Sequence, residues 1–308
     1  MVVVLTGGTG GAKLIEGLVR EHEPAQLTII CNTADDLVLH GLNISPDLDT
    51  IMYTLAGLND REKGWGVAGD SFTVLEQLSR YGTDTWFKLG DKDIATHLLR
   101  TGLFRAGRAL SDATRELAKR LAVKTILLPM TDQPVETRVV TADGEISFQE
   151  FFVKLRWEPD VKRVYYDGID RSRPAPGVLE AIAAADKIII CPSNPVTSIG
   201  PILAVPGVRD ALKAARAPVV GVSPMIGNSA VSGPAAKLMR AQGVASSATG
   251  IAALYRDFLD ALLFDKADAE QSDTIRQIGV SPIETSVIMR SIGDKFRLAR
   301  EVLAWKEK

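Results

Sequence analysis

Four aspartates crowd into the stretch behind one short apolar run: Asp35 and Asp36 in CNTADDL, then Asp47 and Asp49 in SPDLDT. Paired at a strand's carboxyl end, as Asp35 and Asp36 are, hard carboxylate oxygens suit Mg²⁺, which takes one or two carboxylates and fills its shell with water and phosphate oxygens. The plainer reading is a capped helix start, since a carboxylate at Asp47 or Asp49 can cap the helix that follows. Upstream lies a second chemical feature, Gly7-Gly8-Thr9-Gly10-Gly11 followed by Lys13. Glycines at a strand-to-helix turn let backbone N–H groups approach an anion. The Walker A pattern fails here, because Ala12-Lys13-Leu14 offers no hydroxyl after the lysine. The dinucleotide pattern fails too, because Lys13 stands where a small residue is needed for helix packing. A phosphate or nucleotide cradle of neither standard type remains, set against a tight turn with no ligand. A third cluster, Lys88 to Asp93, precedes ATHLLR. A helix starting near Asp91 puts Asp93, His97 and Arg100 or Thr101 on one face. A solvated helix start with local ion pairs explains the same charges, and His97 alone is more often structural than catalytic.

These groups need rigid elements to hold them. Val2–Leu5 reads as a buried strand, a helix is expected from about Ala12 to His22, and Leu27–Cys31 is a second buried strand. Strand, glycine turn, helix and strand form a right-handed βαβ unit with a parallel sheet. Two later apolar strands, at 187–191 and 218–222, open into PSNPVTSIGP and SPMIGNSAVSGP. Loops at the carboxyl ends of parallel strands are where such sheets bind ligands. From about 49 to 122 the pattern is mostly helical. Val135–Thr141 and Ile146–Val153 flank an Asp-Gly turn and read as a β-hairpin. The tail from about Asp268 is expected to be two helices broken around Gly279–Pro282. The expected fold is therefore α/β: a Rossmann-like parallel sheet with helices on both faces, a helical insertion after the second strand and a small hairpin. It forms one domain, with the sheet core at 1–48 and 123–267, the insertion at 49–122 and C-terminal helices at 268–308.

A net charge of −2 and scattered Arg and Lys give no footprint for nucleic acid or an anionic membrane. No apolar stretch approaches the roughly 20 residues of a membrane helix. The start of the chain carries no signal-peptide pattern. Cys31 and Cys191, each closing an apolar run, read as reduced thiols packed in strands, as in a reducing cytoplasm.

GGTGGAKL, NTADDL, ISPDLDT, KLGDKDIATHLLR, PSNPVTSIGP and SPMIGNSAVSGPAAKLM together resemble the 2-phospho-L-lactate transferases of coenzyme F-420 biosynthesis, from Met1 to about Asp265. The resemblance implies a magnesium-dependent transferase acting on Fo, a deazaflavin alcohol, and a guanosine diphosphate-activated acid. The ribityl hydroxyl of Fo attacks the phosphorus bearing the acid and guanosine monophosphate leaves. By resemblance, Asp49 and Lys88 contact Fo, with Asp91 and His97 nearby. Asp35, Asp36 and Asp49 are the metal-proximal acids, and Asp36 and Asp49 carry the catalysis. Gly7, Gly8, Thr9, Gly10, Gly11 and Lys13 cradle phosphate. Pro192, Ser193, Asn194, Ser198, Gly200 and Ser223 line the nucleotide side, while Lys237 reaches a phosphate or lies on a helix surface. A homodimer is implied. Phospholactyl, phosphoenolpyruvyl and phosphoglyceryl donors all stay open. Two alternatives remain: a nucleotide-sugar-binding regulator of a related group, and a nicotinamide-dependent oxidoreductase gripping its ribose through Asp35 or Asp36.

Overall fold

A computed structural model describes residues 1–306. In chain order the strands are β1 (Val2–Thr6), β2 (Leu27–Cys31), β3 (Leu37–Leu39), β4 (Leu42–Ile44), β5 (Ile126–Pro129), β6 (Glu136–Thr141) and β7 (Glu145–Ser147). They continue with β8 (Val161–Asp167), β9 (Lys187–Ile190), β10 (Val219–Val222), β11 (Met225–Ile226), β12 (Ser229–Ala230), β13 (Ala261–Asp265) and β14 (Ser281–Thr285). The helices that matter for the site are α1 (Gly8–Glu21), α2 (Pro46–Leu55), α3 (Thr73–Arg80) and α4 (Asp91–Arg105). Helices at Leu110–Arg120 and Ile292–Ala304 complete one face of the sheet.

Seven strands pair in parallel in the order β14-β13-β10-β9-β1-β2-β5. The central strands read as unbroken apolar runs because both faces are covered. Val3 and Leu5 of β1 enter one core with Ile182, Ile188, Phe151 and Val139. Val2 and Val4 enter the other, with Leu14, Ile15 and Leu18 of α1, Ile51 of α2, and Leu298 and Val302 of the last helix. Truncating a fully buried side chain such as Leu14 or Leu18 to alanine costs about 2–5 kcal/mol.

The chain runs from β1 outward through β2 to β5, then returns to the other side of β1 as β9. The loops after β1 and β9 therefore diverge, and the crevice between them is the topological switch point where open α/β sheets bind ligands.

The parallel sheet with helices on both faces matches the expectation, with three differences in detail. Helix α1 begins at Gly8, not near Ala12, so three of the four glycines of this turn lie within its first turns. The expected hairpin is shorter in its second arm: β7 ends at Ser147, and β6 takes β8 as its long antiparallel partner. Residues 150–154 form one π-helical turn instead. The tail contributes strand β14 as well as helices, because Ser281–Thr285 finds an open edge beside β13.

Candidate active site

A cavity of about 980 Å³ opens at the carboxyl ends of β1, β2, β9 and β10. Gly7, Gly8, Thr9, Gly10 and Lys13 form one wall. Gly7 is the N-cap of α1, in extended conformation and with no side chain of its own to cap the helix; the Asp47 carboxylate lies against this turn, beside the Gly8 N–H. Ser193, in the loop after β9, fixes this turn by accepting from the Gly7 N–H (3.2 Å) and donating to the Gly7 carbonyl (3.0 Å). The approach is too close for larger residues: a Cβ on Gly10 would lie 2.6 Å from the Pro192 carbonyl oxygen. One on Gly11 would lie 1.7 Å from Thr6 Oγ1, so Gly11 packs helix on strand and does not line the cavity.

Pro192, Ser193, Asn194, Ser198 and Ser223 also line the cavity. Asn194 uses its side-chain oxygen to accept from the Val196 N–H at 2.9 Å, which shapes its own loop. Gly200 is absent from the wall; it sits beneath Tyr166, whose hydroxyl donates to the Val196 carbonyl.

Beside the glycine turn lie the carboxylates, with Asp47 packed against Gly7 and Gly8. The Asn32 amide donates to Asp35 Oδ2 (3.1 Å), Asp47 Oδ2 (2.9 Å) and the Thr197 carbonyl (3.1 Å), gathering two acids at one point. Burial, then repulsion from Asp47, pushes the Asp35 carboxyl well above the usual range. Burial raises Asp47 to about 6, although Asn32 and the Gly8 backbone N–H pull the other way. Asp36 is raised by burial too, but its carboxylate accepts from Ser45 Oγ at 2.6 Å and is not on the cavity wall. The second oxygens of Asp35 and Asp36 are buried without a hydrogen-bond partner.

Asp49 has a different setting. It lies in the first turn of α2, where Ser45 rather than Asp49 is the N-cap. Both its oxygens are gripped by the buried guanidinium of Arg100, Oδ2 at 3.0 Å from Nη1 and Oδ1 by Nη2. His97 Nδ1 lies 3.6 Å from Asp49, and His97 Nε2 lies 3.3 Å from Asp93 without the alignment of a hydrogen bond. Tyr53 donates to Asp93 at 2.6 Å. Burial opposes the charged Asp93, yet His97 and Tyr53 outweigh it and hold the carboxyl below its ordinary range. Asp49, Asp93 and His97 bring ligand atoms within 4.8 Å of one another. A guanidinium already neutralises this group, so it is an ion-pair network better than a cation cage.

Of the remaining candidates, Lys88 is exposed on the cavity wall, its Nζ 6.0 Å from the Phe72 ring centroid. Asp91 is not on that wall. Its carboxylate accepts from Ser71 Oγ (2.7 Å) and from the N–H groups of Thr73 and Val74, tying the preceding loop and α3 to the start of α4. Lys237 donates to the carbonyls of Trp157, Glu158 and Pro159, so its ammonium is engaged in holding a loop.

Sequence reasoning gave Asp47 no role beyond a cap and passed over the wall formed by Tyr53, Phe148, Phe152, Trp157 and Val287–Arg290. Arg100 was visible as a face-mate of His97; its partner, Asp49, stands 51 positions earlier.

The family model described as 2-phospho-L-lactate transferase CofD matches residues 2–290. The 2-phospho-L-lactate transferase of Methanosarcina mazei is 41% identical over 98% of this chain and 99% of that protein. The phosphoenolpyruvate transferase of Streptomyces coelicolor is 45% identical over 99% of this chain and 98% of that protein. A crystal structure of a UPF0052-family protein from Bacillus halodurans shares the fold, with a TM-score of 0.65 at 20% identity over 98% of both chains. Among the described residues, no helix is long and apolar enough to cross a membrane.

Proposed function

From the premise that this chain belongs to the 2-phospho-L-lactate transferase family, we propose that it moves a phosphoryl-linked acid from a guanosine diphosphate-activated donor to the ribityl hydroxyl of Fo, in coenzyme F-420 biosynthesis. One observation carries this reading: the glycine turn and the paired acids Asp35 and Asp47 lie side by side at one cavity large enough for two ligands. The glycine-rich start of α1, at the positive end of its helix, suits the donor's diphosphate. Ser193 and Pro192 hold that turn in place before any ligand arrives. Preorganised donors of this kind stabilise charge at a reacting phosphoryl group without reorganisation.

Asp35 and Asp47 are the residues that would hold magnesium. Hard oxygens, a partnerless buried oxygen on Asp35 and mutual repulsion are what a divalent cation relieves. When bound, the ion would neutralise charge on the diphosphate. Asp49 fits that role less well, since Arg100 occupies both its oxygens. In this reading Arg100 orients Asp49 so that a lone pair accepts the Fo hydroxyl and aims its oxygen at phosphorus. Lys88, on the same wall, meets the deazaflavin.

The relatives named above differ in their acid, phospholactyl in one and phosphoenolpyruvyl in the other. The test is incubation with Fo and each of three activated acids, phospholactyl, phosphoenolpyruvyl and phosphoglyceryl, with magnesium or with a chelator. A phosphodiester of Fo with at least one acid, detected by mass and abolished by chelation, supports the proposal. Absence of product with all three overturns it.

A further inference from the structure

Three aromatic rings stack in a row along the cavity. Phe148 and Phe152 are 5.4 Å apart with an interplanar angle of 12°, and Phe152 and Trp157 are 5.3 Å apart at 19°. All three line the cavity, yet the row runs from a buried end at Phe148 to an indole that is 40% exposed. The backbone holds the indole there against its own preference. A π-helical turn at Glu150–Lys154 precedes two consecutive non-glycine residues in the left-handed region, Arg156 (φ 50°) and Trp157 (φ 49°). That region disfavours residues with a Cβ, and such conformations persist where the surroundings over-determine them. Here they do. The Trp157 N–H donates to the Phe151 carbonyl at 2.8 Å. Lys237 spends its ammonium on three successive carbonyls, Trp157, Glu158 and Pro159, at 3.0, 2.9 and 3.0 Å.

A hydrophobic wall needs no parallel planes and no strained backbone. A stack of rings ending in an accessible π-face does suit one more ring, because aromatic groups prefer offset-parallel arrangements. We propose that Trp157, backed by Phe152 and Phe148, is the stacking platform for a flat fused-ring heterocycle. This rests on the reading of the cavity given above, which supplies two such rings, the deazaflavin of the acceptor and the guanine of the donor. The platform lies on the acceptor's side. Lys154, in the π-turn, pairs with Asp84 at 3.1 Å and stands over the Trp86 ring, which ties the row to the loop carrying Phe87 and Lys88.

Calorimetric titration of the full chain with Fo and with GDP separately tests this, using wild type and the variants Trp157→Phe, Trp157→Leu and Trp157→Ala. Leucine keeps apolar bulk and removes the π-face. Fo affinity should fall about tenfold or more in the Leu and Ala variants, the scale of one lost ring stack, and by much less in Phe. GDP affinity should be unchanged. The same pattern on GDP instead supports the platform and assigns it to guanine. A Leu variant that binds both ligands as the Phe variant does overturns stacking, and the transferase reading survives if product still forms. A wild-type chain that binds neither heterocycle overturns both.

Discussion

The glycine wall, Gly7 to Lys13, carries one charged side chain and is shaped by its backbone, whereas the acidic wall beside it gathers Asp35 and Asp47 through Asn32 and pairs Asp49 with Arg100. The first is local: strand, turn and helix are consecutive in the chain, and Ser193 merely steadies them. The second is assembled from β2, α2 and α4, and its charges are stable only as a set. Backbone donors tolerate changes in side chains but no change in shape. A buried charge network tolerates neither loss nor isolation of its members.

The largest effect should come from isolating a charge. Arg100→Met leaves Asp49 buried without its partner, and we expect about 3–5 kcal/mol of lost stability with loss of activity, as for other broken buried pairs. Adding Asp49→Asn should recover part of that stability and none of the activity. Denaturant unfolding of the two single variants and the double variant reads this directly. Additive losses would mean that the pair is not coupled.

Shape is the weakness of the other wall. Gly10→Val drives a branched side chain into the Pro192 carbonyl, and overpacking of this kind costs about 1–3 kcal/mol. Donor KM should rise up to ~10²-fold while Fo KM barely changes. Equal effects on both would make the turn a structural element only.

Lys88→Ala should act in the opposite direction on the same comparison. An exposed cation that donates to a bound ligand is worth about 1.5 kcal/mol, so Fo affinity should fall roughly tenfold. Donor affinity should hold.

The smallest and most graded effect is in pH. With its carboxyl raised to about 6, Asp47 is destabilising once ionised. That penalty is absent below the unfolded pKa of about 3.9, grows as pH rises and is complete above about 6. Magnesium-free protein should therefore lose stability as pH climbs through this window, and Asp47→Asn should flatten the slope. Magnesium affinity should weaken as pH drops below about 6. Thermal melts with and without magnesium across pH 4–8 would show both trends, and a slope unaffected by Asp47→Asn would reject the assignment.

How much of this was readable in the sequence follows the same division. The turn at Gly7–Gly11 and the loop at Pro192–Ser198 were readable as parts of one cavity, because each strand is contiguous with the loop that follows it. Strands β5, β13 and β14 were passed over. β14, split by Pro282, joins the edge of the sheet only because β13 is beside it. Asp91 and Asp93 look alike in sequence. One anchors a loop and the other enters the His97–Tyr53 network, a choice made by α3 and α2, elements that approach only in the folded chain. Asp49 stood out in the sequence as a candidate acid, yet its grip by Arg100 depends on how α4 crosses α2. Trp157 was invisible for a related reason: nothing in its neighbours signals two left-handed residues in succession.

The most direct test of two adjoining walls serving one transfer is to count products. Chain, magnesium, Fo and the preferred activated acid should yield guanosine monophosphate and the Fo phosphodiester in equal amounts, with no guanosine monophosphate formed when Fo is omitted. Release of guanosine monophosphate at the same rate without Fo, or tight binding of a nicotinamide dinucleotide with no affinity for Fo, would contradict the account.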